Sequence, residues 1–184
     1  MQRMVVLAFF VYIAVISLER FVELLVSRAH VRRLAARGAV EFGVEHFPIF
    51  VVLHAAFPLA LAWEVLGGHA HAPHAWPLWL AAWLLAQGLR AWAMASLGAF
   101  WNVRVWVVPG VTPVARGPYR WLRHPNYLAV ALEFLAGPMM FGAWRTAVVF
   151  SVLNAVALAI RIPVEQRALA WAAARRDVTP ASTP

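Results

Sequence analysis

The chain has 184 residues, of which 63% are hydrophobic and 13% charged, against roughly 45–50% apolar and about 25% charged in soluble domains. Too few polar residues exist to cover a water-facing surface, so composition excludes an ordinary soluble domain and predicts an all-α integral membrane protein. The net charge of +8 does not point to nucleic acid, because the arginines gather between apolar runs, where membrane topology accounts for them.

The first apolar run covers residues 4–26 after a single Arg3 and ends among Glu19, Arg20 and Glu23. It lacks a small-residue cleavage site and reads as a retained span rather than a signal peptide. A second run covers 47–66 and a third 76–97, followed by two shorter runs at 127–141 and 146–160. The connection from Phe141 to Thr146 has room only for a tight turn. The expectation is about five transmembrane helices, the last two forming a short hairpin. A C-terminal cytoplasmic helix should follow from Pro163 to about Arg176, since proline suits a first helical turn. Residues 1–176 are read as a single domain, with three spans in 1–97 and a polar loop, hairpin and final helix in 98–176. Residues 177–184 read as a disordered tail.

Arginine also sets the orientation. Arg28, Arg32, Arg33 and Arg37 lie in one connection, Arg104, Arg116, Arg120 and Arg123 in another, and Arg167, Arg175 and Arg176 near the end. The alternate connections carry only histidines or Arg145. An odd number of spans places the three basic segments together, on the cytoplasmic side, with the N-terminus outside. Trp63, Trp76, Trp79 and Trp144 then fall at the outer interface, and Trp92, Trp101 and Trp121 at the inner one.

Polar residues inside the apolar runs are expensive and need partners. Asn126 and Glu133 are seven apart in the fourth run and share a helix face with Tyr127. In the fifth, Asn154 and Arg161 are seven apart and Glu165 lies four further on. In an antiparallel hairpin Glu133 and Asn154 come to similar depth, roughly 10 Å inside the boundary, and Tyr127 comes near Arg161. One cleft open to the cytoplasm follows. Glu133 is expected to pair with Asn154 or Arg90. For Glu133 and Asn154 an interhelical hydrogen bond is favoured over a ligand contact. Glu19, Glu23 and Arg90 lie at similar depth and are expected to pair among themselves.

The segment from Arg116 to Tyr127 carries the strongest signal. Pro125 holds His124 extended and opens a helix, leaving Asn126 and Tyr127 in its first turn, where backbone N–H groups are free for an anion. A ligand site therefore ranks ahead of a basic patch touching lipid headgroups. Trp101, Asn102 and Arg104 precede it as possible lining residues. His69, His71 and His74 form too loose a motif for a metal site and read as a solvated loop.

The run Gly117-Pro-Tyr-Arg-Trp-Leu-Arg-His-Pro-Asn-Tyr127, an apolar hairpin, and then Arg161-x-x-x-Glu165-Gln166 resembles the isoprenylcysteine carboxyl methyltransferase family of membrane enzymes. That family's pattern is approximately R-H-P-x-Y-x-G, a hairpin, then R-x-x-x-E-E, and the likeness covers about residues 90–170. Ala129 stands where the pattern has glycine, and Gln166 where it has a second glutamate. Ser27-Arg28-x-His30, the stretch from Ala36 to Glu41, and His46-Phe47-Pro48 are similar to a bacterial branch that O-methylates long-chain alkylresorcinols or alkylpyrones.

The resemblance implies S-adenosylmethionine as methyl donor. It implies Arg123, His124, Pro125, Tyr127, Glu165 and Gln166 as cofactor contacts, with Arg161 and Glu165 as catalytic residues. Asn126, Glu133, Asn154 and Arg90 are the candidates on the substrate side. The expected substrate is a lipophilic small molecule reaching the cleft sideways from the bilayer: a long-chain phenol or pyrone, or a prenylated cysteine carboxylate. A carboxylate needs no base, whereas a phenol does, and Glu165, His124, Glu19 and Glu23 stand as candidates. Membrane lipids are expected partners and nucleic acid is not. The alternatives are phospholipid N-methylation, nicotinamide-dependent lipid reduction, and a non-catalytic lipid-binding role.

Overall fold

A computed structural model describes residues 2–175, so Arg176 and the tail expected over 177–184 lie outside the described residues. Five α-helices dominate: α1 (Gln2–Ala35), α2 (Phe47–Leu66), α3 (Trp76–Leu97), α4 (Pro125–Met140) and α5 (Trp144–Ala173). Two short strands, β1 (Val40–Phe42) and β2 (Val105–Val107), pair antiparallel with Glu41 opposite Trp106. The apolar runs did not announce this ribbon, because three-residue strands are too short for an alternating pattern to register.

Three helical segments are long and apolar enough to cross a membrane: Arg3–Ala35, Val44–Leu66 and Trp144–Ala173. This is an integral membrane protein. Helix α3 has the length at 22 residues, but Gln87, Arg90 and four tryptophans dilute its hydropathy. At 16 residues, α4 rises about 24 Å, short of the ~30 Å hydrocarbon core. It is the short arm of the expected hairpin.

The hairpin turns at Gly142, whose φ of 74° is left-handed. A Cβ there would lie 1.9 Å from the His71 carbonyl oxygen, so glycine is required on both counts. The expected C-terminal helix is present as the continuation of α5 rather than as a separate element. Pro163 lies inside that helix, where it forgoes one i→i−4 hydrogen bond.

Packing follows side-chain size. Helices α3 and α4 make the most extensive contact, and Ala86, Ala93, Ala129 and Ala136 on them are fully buried. Small residues let membrane helices approach closely where no hydrophobic drive exists between them. Ala129 is one of these small residues in the α3–α4 contact. A core of Phe9, Tyr12, Phe57, Trp83, Phe134 and Phe150 draws on all five helices, with Phe57 edge-on to both Phe134 and Phe150. A smaller core seats β2 on the far end of α5 through Val105, Val107, Ala168 and Ala172. Trp63, Trp76, Trp92, Trp121 and Trp144 are exposed, as interfacial anchors would be, but Trp101 is 3% exposed. It is a core residue, and its carbonyl is bonded to His30 Nδ1 at 2.7 Å.

Candidate active site

Helix α4 starts at Pro125, and His124 before it has φ −135° and ψ 61°, short of the fully extended backbone expected ahead of a proline. The His124 carbonyl accepts the N–H groups of Tyr127 and Leu128, and the His124 and Tyr127 rings stack at 5.3 Å. Tyr127 is thereby aimed across the hairpin. Its hydroxyl donates to the Glu165 carboxylate and accepts from Arg161 Nε at 2.8 Å.

Arg161 ties three other parts of the chain together. Its Nη2 donates to the Val103 carbonyl at 2.7 Å, and its guanidinium lies 5.0 Å above the Phe50 ring on α2. It is 6% exposed, and among the described residues no carboxylate lies within ion-pair distance of it. A buried guanidinium without a counter-ion costs several kcal/mol of solvation, roughly, unless an anion completes it.

Around Arg161 opens a cavity of about 410 Å³, within the range of small-molecule and cofactor sites. Arg123, His124, Asn126, Tyr127, Asn154, Arg161 and Glu165 line it, as does Arg90 at its far end. Trp101, Asn102 and Arg104 line it too. The Asn126 and Asn154 Oδ1 atoms are sealed from solvent and have no partner, so a ligand would reach them only after the amides turn. Tyr119 faces the same space. Burial, then the Glu165 carboxylate, raises its pKa, so its phenol stays a hydrogen-bond donor.

Three sequence-based candidates fall elsewhere. Pro125 is fully buried and sets the turn, while Gln166 is exposed on the outer side of α5. Glu133 lies on a separate cavity of about 60 Å³. Its partner is Arg90, at 2.8 and 3.0 Å, with Arg20 at 3.5 Å. Asn154 takes no part in that pairing. Arg90 also grips Glu23 with Nε and Nη2 at 2.5 and 2.8 Å, and Gln87 donates to Glu19.

Further contacts complete the site. Ser27 on α1 donates to Asn102 Oδ1 at 2.7 Å and accepts the Val103 N–H at 3.3 Å. The Val103 carbonyl is thereby turned toward Arg161. Neither Val103 nor Phe50 carries a chemical signal in sequence, because one acts through its backbone and the other through an ordinary apolar ring. Arg104 pairs with Glu41 at 3.0 Å and covers the Phe47 ring, fixing the ribbon beside the cavity.

The chain matches the isoprenylcysteine carboxyl methyltransferase (ICMT) family over residues 79–171. That span contains α4, nearly all of α5 and the loop bearing His124. It belongs to this family of membrane methyltransferases. It is 43% identical over 162 residues to the uncharacterized protein YpbQ of Bacillus subtilis, covering 88% of this chain and 96% of that one. An uncharacterized protein of Haemophilus influenzae is 26% identical over 151 residues, covering 82% of this chain and 88% of its own. No solved structure matches the chain significantly.

Proposed function

We propose that the protein is an S-adenosylmethionine-dependent O-methyltransferase acting on a lipophilic acceptor, a long-chain phenol or pyrone or a prenylated cysteine carboxylate. The observation that carries this reading is Arg161: buried, without a counter-ion, and locked by Tyr127 and Val103 onto the wall of a 410 Å³ cavity. The methyl donor carries a carboxylate, an ammonium and a sulfonium. Arg161 suits the first, and the Glu165 carboxylate suits the cationic groups. The flat faces of His124 and Tyr127 suit a purine.

When bound, the cofactor supplies an electrophilic methyl group, and the protein supplies position and dryness. Methyl transfer from a sulfonium to an oxygen anion removes charge on the way to product, so a site poor in water favours it. Phe47, Phe50, Val51 and Leu158 give the cavity an apolar wall for the acceptor's chain. Leu24 and Val51 both line the cavity and are exposed on the apolar surface, which supports access from the bilayer between α1 and α2. Arginine distribution supports a cytoplasmic site and an outside N-terminus, and the bacterial relatives support a bacterial inner membrane.

The reading is tested by incubating the detergent-purified protein with methyl-labelled S-adenosylmethionine and bacterial lipid extract. Label should enter the organic phase with wild type and not with Arg161→Ala. Equal labelling by both would refute it.

A further inference from the structure

His54 is a half-buried polar group that the site as described leaves unused. It lies two helical turns inside α2 from Phe47, about 10 Å deeper at 1.5 Å per residue. Its Nδ1 is bonded to the Phe50 carbonyl at 2.8 Å. A carbonyl can only accept, so Nδ1 carries the hydrogen, and the neutral ring then offers Nε2 as a lone-pair acceptor. No protein group engages Nε2, nor is it among the sealed, unpartnered atoms. The ring borders both the main cavity and the smaller one at Glu133. Packing on Phe134, with centroids 5.2 Å apart, fixes its plane.

The groups around it come from four elements. Arg20 and Tyr12 on α1, Arg90 on α3, Glu133 on α4 and Arg161 on α5 share the walls of these two cavities. The base candidates legible in sequence are otherwise occupied. Glu23 is held by both Arg90 and Arg20, Glu19 by Gln87, and Glu165 by Tyr127. His124 is stacked at the cofactor end. Phe50 links the two ends: its ring lies under Arg161 and its carbonyl holds His54.

We infer that His54 Nε2 receives the hydroxyl of the acceptor and takes its proton, so that the acceptor is a neutral, chain-bearing phenol or enol rather than a carboxylate. This rests on the methyl-transfer reading for its second half and on the cavity alone for its first. The acceptor O–H bond breaks and its proton goes to Nε2. The freed oxygen pair bonds the methyl carbon, whose former bonding pair leaves with the donor sulfur. The imidazolium returns its proton to water once product departs.

The test uses a long-chain meta-alkylphenol and its methyl ether, bound to purified protein without cofactor, for wild type, His54→Leu and His54→Gln. The ether has the same bulk and no proton to donate. Wild type should favour the phenol by about tenfold, as one buried hydrogen bond implies, and His54→Leu should bring the ratio near one. His54→Gln keeps an acceptor oxygen without a base. It should keep much of the preference while kcat with cofactor falls on the order of 10²–10⁴-fold and the rate climbs with pH as the phenol ionises unaided.

A His54→Leu protein that keeps the tenfold preference, or a His54→Gln protein with wild-type kcat and pH profile, would overturn the inference and leave methyl transfer standing. Wild type that shows the His54-dependent preference but transfers no methyl group would uphold the hydroxyl subsite and remove the methyl-transfer reading.

Discussion

The Tyr127 hydroxyl stands between Arg161 and Glu165, accepting from the guanidinium at 2.8 Å and donating to the carboxylate. One phenol on α4 thus separates a cation and an anion that sit one turn apart on α5 and leaves the remaining guanidinium hydrogens unclaimed by a carboxylate. An α5 helix carrying a direct Arg161–Glu165 pair would have closed the site on itself.

Tyr127→Phe removes that spacer. The variant should lose about 1–3 kcal/mol of stability, because two buried polar groups lose a partner, and its S-adenosylmethionine affinity should fall by at least roughly tenfold. Calorimetric titration beside a melting curve separates the two effects.

The charged cluster beneath the site is structural by geometry. Arg90 bridges Glu23 and Glu133, both of which Arg20 also reaches, at 3.1 and 3.5 Å, and the Arg90 side chain is 8% exposed. Arg90→Met should therefore destabilise by about 3–5 kcal/mol, the scale for leaving buried charges unpaired. Glu133→Gln, which keeps hydrogen-bonding capacity, should cost less. Thermal unfolding in detergent gives the order, and a more stable Arg90→Met would show the cluster to be dispensable.

At the opposite membrane face, Glu64 is fully buried and accepts from the Arg145 and Thr146 N–H groups at 3.2 and 2.8 Å and from the Thr146 hydroxyl at 2.6 Å. It caps α5 from α2, because Ala143 at the N-cap position has nothing to offer. Glu64→Ala should cost about 1–2 kcal/mol and leave cofactor affinity unchanged. A loss of affinity would place this carboxylate in the site's wiring.

Glu165 and Gln166 are neighbours with opposite fates. Glu165 lines the cavity while Gln166 is exposed. Glu165→Ala should abolish cofactor binding, and Gln166→Ala should stay within about twofold of wild type, well under the roughly tenfold that a lost hydrogen bond produces. Side-by-side titrations settle the pair.

Apolar runs located all five helices, but α1 continues nine residues past its expected end, to Ala35, and α5 continues to Ala173. α2 and α3 begin and end where the apolar runs do, and the hairpin brings Tyr127 to Arg161 as antiparallel helices must. Other features could not be read. Glu133 had two candidate partners, and only tertiary packing decided for Arg90. Pro163 suits a helix start by its missing N–H, yet packing carries α5 through it. Val103 acts through its carbonyl and Phe50 through an apolar face, so neither leaves a mark in side-chain chemistry. Glu64 sits in an apolar run remote in sequence from the N–H groups it caps.

The central claim is that the cavity around Arg161 holds the methyl donor. Calorimetric titration of S-adenosylmethionine into detergent-purified wild type and Arg161→Ala, each shown folded by its melting transition, tests it most directly. The account predicts saturable one-site binding by wild type and at least a roughly hundredfold loss in the variant, as removal of a charge-assisted anchor implies. Equal affinity in the two proteins would contradict it.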